Sequence, residues 1–212
     1  MLHKETISNK TYALLKSLME DESFKDFFLV GGTAIALQIG HRISEDLDLF
    51  TQNDIDLEFF KRHLKEKYSF VSEFENKNTL KGFINETFID LITYDYPIID
   101  NFVIEDNIKM LSLKDIIPMK LVAIVQSGER MKDFIDIAFL SNYYTLNEMI
   151  NFYKKKYDDD NELSIYKALI YFDSIDISDK INLINKNLDF QTIEKRLIDM
   201  TKNPNILFQP FQ

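Results

Sequence analysis

The chain has 212 residues, 45% hydrophobic and 28% charged, which is the composition of an ordinary globular protein and excludes a disordered or fibrous one. Lys and Arg number 25 and Asp and Glu 35, so the formal charge of −10 argues against a general polyanion-coating protein, and any nucleic-acid contact must come from a local basic patch. The absence of cysteine excludes a disulfide framework, a thiolate zinc site and a cysteine nucleophile; with no apolar run near the roughly 18 residues of a membrane helix and no apolar signal segment in MLHKETISNK, the expectation is a cytoplasmic protein that does not enter a membrane.

Ile7, Leu14, Leu15 and Leu18 fall at helical spacing and predict an amphipathic helix within residues 4–20. Phe27 to Val30 is a short apolar run that stops at Gly31-Gly32, and residues 33–39 read as a short helix closed by Gly40. Asp46 to Phe50 alternates with period two, predicting a strand with one polar and one buried face, and a helix follows over about 54–68. Two or three strands come next, around Phe70, Ser72 and Phe74, then Leu80 to Ile84 and Phe88 to Tyr94. The turn-forming stretches 76–78 and 85–86 separate them, as in an antiparallel meander. After Pro97 the pattern reads as largely helical. Ser112 with Asp115 marks a helix start, Pro118 a kink or a fresh start, and helices are predicted over 118–126, 131–143, 145–157, 164–172 and about 189–202. Lys154 to Lys156 read as a solvated helix end before an acidic loop at 158–160. A boundary near residue 108 separates an α+β half, 1–108, from a helical half, 109–212.

Of five glycines, at 31, 32, 40, 82 and 128, the first two lie between a strand and a helix. Glycine allows positive φ and close backbone approach, and a helix N-terminus presents free amides and a positive dipole end. Gly31, Gly32 and Thr33 therefore either seat a phosphate or form a turn that needs no ligand. Asp46 and Asp48 alternate on one strand, so both project from one face, roughly 6 to 7 Å apart along it. Such a pair either embraces hard cations, as a two-magnesium site over a triphosphate requires, or is a solvated face. Asp90, in Phe-Ile-Asp-Leu-Ile, is either paired or metal-bound, or lies wet at a strand end. Arg42 and Ser44 suit phosphate oxygens, although Arg42 could equally pair with Glu45; His41 reads more simply as packed or capping than as catalytic. His3 and His63 have no metal-ligand spacing, which makes zinc a poor choice.

The segment from Lys109 to Lys132 is a small basic island in an acidic chain. Within it Lys120 interrupts the apolar run Met119-Lys-Leu-Val-Ala-Ile-Val, so its ammonium group either snorkels to water or points into a cleft toward phosphate. Asp133 and Asp136 share one side of the next helix near its start; capping accounts for Asp133, whereas Asp136 sits among Phe134, Ile135, Ile137 and Ala138. The scattered Tyr and Phe residues show no stacking platform for a single strand.

Taken in order, Gly31-Gly32-Thr33-Ala-Ile-Ala-Leu-Gln-Ile-Gly-His41-Arg42-Ile-Ser44-Glu-Asp46-Leu-Asp48-Leu-Phe resembles the first motif of the AbiEii/AbiGii toxin family of nucleotidyltransferases, in the DNA polymerase beta-like superfamily. Asp90 matches the third superfamily carboxylate, Lys120 lies in Met-Lys-Leu-Val-Ala-Ile, and Lys132-Asp133-Phe-Ile-Asp136 is similar to the family's downstream element. The resemblance spans roughly residues 27–142. It implies an α+β fold, a nucleotidyltransferase-like mixed sheet flanked by helices, followed by a helical C-terminal region that completes the cleft. It also implies a nucleoside triphosphate substrate with Mg2+ or Mn2+. Asp46, Asp48 and Asp90 would hold the metal, and Asp90 would help activate the acceptor hydroxyl. Gly31, Gly32, Thr33, Arg42 and Ser44 would seat phosphates, Lys120 and Lys132 would neutralise their charge, and Asp133 or Asp136 would orient the nucleotide or a lysine. Proteins that the chain resembles act as toxins of toxin–antitoxin or phage-defence pairs and some modify tRNA ends, so the resemblance implies tRNA or another RNA as acceptor and an antitoxin as partner. Transfer to a protein or small molecule, or a non-catalytic binding module on the same fold, are the alternative readings.

Overall fold

The structure is a computed structural model that describes residues 1–211 apart from Ile177 and Asp179. Two compact units result: Met1–Asp95 with Phe102–Leu111, and Tyr96–Asn101 with Ser112–Gln212.

The first unit is the expected mixed α+β layer. Its elements are α1 (Asn9–Met19), β1 (Phe28–Leu29), α2 (Gly31–Ile39), β2 (Leu47–Thr51), α3 (Leu57–Tyr68), β3 (Val71–Asn76), β4 (Thr79–Ile84), β5 (Thr87–Thr93), β6 (Val103–Glu105) and β7 (Ile108–Met110). The strands form one sheet in the order β3-β4-β5-β2-β1-β7-β6, with β2/β5 and β1/β7 parallel and the remaining pairs antiparallel. The predicted meander is β3-β4-β5. The opening helix is shorter than its apolar spacing suggested because the Ser8 hydroxyl accepts from the Thr11 amide and starts α1 at Asn9, behind a short 3₁₀ turn at Lys4–Thr6. Alternation sorts the sheet faces. Leu47, Leu49, Leu80, Ile84, Ile89 and Leu91 are fully buried on one side, each contributing roughly 1.5–3 kcal/mol by its removal from water. Asp48, Asp90 and Lys81 share the other side.

The hairpin β6–β7 corrects the expectation that the chain is helical beyond Pro97. Asp106 and Asn107 at its tip both have positive φ, 53° and 60°, the geometry of a tight two-residue turn. Two three-residue strands are too short to show an alternating pattern, and the turn lacks the glycine that usually marks it. The Asp106 carboxylate accepts from Lys4 Nζ at 2.7 Å and from the Tyr12 hydroxyl, which ties the turn to the N-terminal helical segment.

Asp21, 5% exposed at its side chain, precedes α3 in sequence by one strand–helix–strand passage and gathers that helix's polar groups. It accepts from His63 Nε2 at 2.7 Å, Lys67 Nζ at 2.8 Å, the Tyr68 hydroxyl at 2.9 Å and the Ser23 amide at 3.0 Å. Burial alone would raise its pKa, but these donors, Lys67 foremost, outweigh burial and hold the carboxyl well below the usual carboxylate range. A carboxyl depressed on folding stabilises the protein above its unfolded pKa, near 3.9, and loses that contribution as pH falls through the folded value. Asp21→Asn should therefore cost about 2–4 kcal/mol at pH 7 and progressively less below about pH 4. Urea unfolding at both pH values checks this, and an equal cost at pH 7 and pH 2.5 would refute it.

The second unit is helical: α4 (Leu113–Gln126), α5 (Met131–Leu140), α6 (Leu146–Tyr157), α7 (Glu162–Leu169) and α8 (Phe190–Lys202). α4 packs on α5, α6 and α7, and α8 packs on α5 and α7. The Ser112 hydroxyl accepts from the Asp115 amide at 3.2 Å, so α4 begins at Leu113 and runs through Pro118 with no fresh start. Proline there removes a single i→i−4 bond, to Lys114, in a helix otherwise held by its buried face. A second correction concerns Lys156. Rather than ending a solvated helix, its ammonium group is fully buried, 2.7 Å from Asp115 Oδ1 and 2.8 Å from the Pro97 carbonyl. Asp115 also accepts from the Ile99 and Asp100 amides at 2.9 and 3.1 Å and from the Ser112 hydroxyl at 3.0 Å. The whole 96–101 segment is thereby gathered onto the start of α4.

Candidate active site

The glycine pair is the first turn of α2 itself, and its neighbours explain why both positions lack a side chain. Gly31 has φ +67°, and a Cβ there would stand 2.0 Å from Asp48 Oδ2; at Gly32 it would stand 2.2 Å from Arg42 Nη2 and 3.3 Å from Ser44 Oγ. The Asp48 carboxylate and the Arg42 guanidinium therefore lie directly against the helix N-terminus. Thr33 completes the arrangement, its hydroxyl 2.9 Å from Ser44 Oγ and 2.5 Å from the Asp46 carbonyl. The Val30 amide donates to the Asp48 carbonyl at 2.9 Å, fixing the start of α2 against β2. Gly31, Gly32, Thr33, Arg42, Ser44 and Asp48 are thus brought together. Arg42 is buried, with Nη1 donating to the Ile43 carbonyl at 3.2 Å, and His41 is also buried.

Across the sheet, Lys81 on β4, Asp90 on β5 and Asp48 on β2 are in register. Neighbouring strands lie about 4.8 Å apart, so the three side chains form a row on one face. Asp46 is exposed and precedes β2, which begins at Leu47, so it is not on the strand as its alternation with Asp48 predicts. Asp90 is buried rather than wet: its Oδ2 accepts from Lys81 Nζ at 2.6 Å, whereas its Oδ1 is buried with no hydrogen-bond partner. Burial raises its pKa, only partly opposed by Lys81. Among the described residues no three His, Asp or Glu side chains stand close enough together to hold a metal ion, so the three aspartates are not gathered into one cage.

The donor chemistry nevertheless fits a hard divalent cation. All the groups are carboxylate oxygens, the orphaned Oδ1 of Asp90 is an atom that coordination would satisfy, and the Asp48 carboxylate stands against the first turn of α2.

Composition and motif spacing do not single out Lys81, although the sequence carries a signal for it. A two-residue turn at Asn85-Glu86 pairs Ile84 with Thr87 and hence Lys81 with Asp90, which the register shows.

In the second unit Lys120, Asp133 and Asp136 form a cluster of their own. Lys120 Nζ lies 2.7 Å from Asp133 Oδ1 and 2.8 Å from Asp136 Oδ2, buried, so it does not snorkel to water. Arg130 grips Asp133 with two bonds, Nε to Oδ2 at 2.8 Å and Nη2 to Oδ1 at 3.0 Å. Burial would raise the pKa of Asp133, but the charges of Lys120 and Arg130 prevail and hold it below its ordinary value. Asp133 is therefore an ion-pair hub, and the simple capping role expected for it gives way. Lys132 is half-buried on the first turn of α5.

Comparison with known proteins bears on the fold and on the family. A structure from Helicobacter pylori, JHP933, superposes with a TM-score of 0.54 at 18% identity, over 92% of each chain. Another from H. pylori, described as a candidate nucleotidyltransferase, gives 0.53 at 19% identity, over 94% of this chain and 92% of that one. At these identities the likeness establishes the fold. An uncharacterised protein of Aquifex aeolicus (strain VF5), aq_aa25, is 33% identical over 154 residues, covering 70% of this chain and 74% of that one. The sequence profile described as "Nucleotidyl transferase AbiEii toxin, Type IV TA system" matches residues 13–100 and 85–207, nearly the whole length. The chain belongs to the AbiEii family of nucleotidyltransferase toxins of type IV toxin–antitoxin systems.

Proposed function

We propose that the protein transfers a nucleoside monophosphate from a nucleoside triphosphate to an RNA acceptor, a tRNA end above all, as the toxin of a toxin–antitoxin or phage-defence pair. The observation that carries this reading is the Asp48 carboxylate set against the first turn of α2, 2.0 Å from where a Gly31 Cβ would be, with Asp90 beside it in register. In this reading the α2 amides, Ser44 and Arg42 bind the triphosphate oxygens, and Asp46, Asp48 and Asp90 are the residues that would hold Mg2+ or Mn2+. When bound, such a cation supplies charge neutralisation and Lewis acidity. The acceptor hydroxyl oxygen bonds to the α-phosphorus as the α–β bridging bond breaks, and pyrophosphate leaves. Asp90, as the carboxylate that Lys81 pairs with and that burial makes more basic, receives the hydroxyl proton.

The net charge of −10 favours a second reading in which the acceptor is a protein or a small molecule, since broad affinity for RNA needs a basic surface. Incubating the protein with labelled nucleoside triphosphates and, separately, total RNA, total protein and a small-molecule extract decides between them. Label in RNA that vanishes with Asp48→Asn is the expected result. Label confined to protein or small molecules sinks the RNA acceptor, and no label anywhere favours a binding module. In the same preparations, a cognate triphosphate with Mg2+ at a hundred times its Kd should stabilise the chain by about 2.7 kcal/mol, read as a higher Tm. No shift with any of the four ribonucleotides would count against a nucleotide site.

A further inference from the structure

We propose that Lys81 is a resident counter-cation of the candidate site, a positioning residue that occupies Asp90 in the metal-free protein and cedes it when a divalent cation binds. This rests on the reading of Asp48 and Asp90 as cation-holding residues. Lys81 and Asp90 are partners in register on antiparallel β4 and β5, with Nζ 2.6 Å from Oδ2. A charge-assisted bond of that length is strong, and the Asp90 side chain, 9% exposed, is costly to leave without a counter-charge. Yet Lys81 satisfies only half of the carboxylate: Oδ1 remains buried with no hydrogen-bond partner. Asp48 stands in register on the far side of Asp90, so the buried carboxylate lies between an ammonium group and a second carboxylate. The Lys81 side chain is 32% exposed on a flexible stem, and can swing its charge into water without unfolding anything. Among the described residues no three carboxylates are gathered into a metal-holding group, and the counter-charge that Asp90 meets is the Lys81 ammonium.

Two effects of Lys81 on a divalent cation have the same sign. Its ammonium group must release Oδ2, and its charge repels an incoming cation. The test uses the metal-free full-length chain with Mn2+ as probe, following free Mn2+ by electron paramagnetic resonance and the melting temperature with and without the ion. Lys81→Met should bind Mn2+ about tenfold more tightly than wild type. It should melt lower without metal and gain more on adding it. Lys81→Gln, which keeps a neutral donor for Oδ2, should shift in the same direction by less, and it carries the test if Lys81→Met does not fold. Lys61→Met, which removes a half-exposed charge paired with Glu75, should leave Mn2+ affinity unchanged. Equal or weaker Mn2+ binding by the Lys81 variants overturns the proposal. If the Lys81 variants bind no better while wild type binds Mn2+ and Asp48→Asn does not, only the role of Lys81 is removed; if none of the proteins binds Mn2+, the metal reading of the site falls with it.

Discussion

Asp48→Asn is expected to lower nucleotidyl transfer by on the order of a thousandfold while leaving the chain folded, with a melting temperature within a few degrees of wild type. Asparagine keeps the shape that fits beside Gly31, so the contact at the start of α2 survives and only the charge is lost. Asp46→Asn, at an exposed position just before β2, should follow the same pattern. Gly31→Ala should differ, because it adds a methyl 2.0 Å from Asp48 Oδ2 at a φ of +67° and so loses both activity and stability. Initial rates of label transfer and thermal melts on the same preparations check all three. If Asp48→Asn unfolds, or retains transfer within tenfold of wild type, the aspartate is structural and the proposed site is wrong.

The second large effect is expected in the helical unit. Lys156→Met should cost about 3–5 kcal/mol, because it leaves the Asp115 carboxylate buried with its charge uncompensated. For a chain of this size that lowers the melting temperature by roughly 10 °C. Lys155→Met is the neighbouring control: its side chain is exposed and donates to the Ile99 carbonyl at 3.2 Å, so its cost should stay below about 1 kcal/mol. Equal melting of the two variants would show that the buried pair contributes nothing.

Where a feature was legible in the sequence, the physics was local. The alternation through Leu47 to Phe50, the glycine pair and the turn residues between β3, β4 and β5 each fix a conformation within a few positions, so the sheet centre with Asp48 and Asp90 on its polar face follows from the pattern, whereas Asp46 falls just outside the strand. The features that were not legible depend on distant partners. Lys156 looks like its solvated neighbours Lys154 and Lys155 because nothing nearby in sequence shows that Asp115, 41 residues earlier, receives it in the interior. Lys120 was balanced between water and a cleft, and what decides against water is a carboxylate pair on the following helix. The β6–β7 hairpin escaped for another reason, since three-residue strands carry too little pattern to outweigh the helical look of their surroundings. Lys81 lay within reach of register arithmetic, but only once the hairpin turn preceding β5 is counted as two residues.

The order in which the chain is synthesised gives the 96–101 segment a distinct fate. These six residues belong to the helical unit, yet the residues on both sides of them, up to Asp95 and from Phe102 to Leu111, belong to the sheet unit. They leave the ribosome before Asp115, which receives the Ile99 and Asp100 amides, and long before Lys156, which completes the buried pair. For that interval the segment is a loop waiting for its receptor, while β7 already has β1 available to pair with. The same threading means that no single peptide-bond cleavage separates the units. A nick between Leu111 and Ser112 leaves residues 96–101 attached to the sheet fragment, where they act as a six-residue tether that the helical fragment can recapture through Asp115. Fragments 1–111 and 112–212 should therefore reassociate when mixed, whereas fragments in which residues 96–101 are replaced by glycine and serine should not.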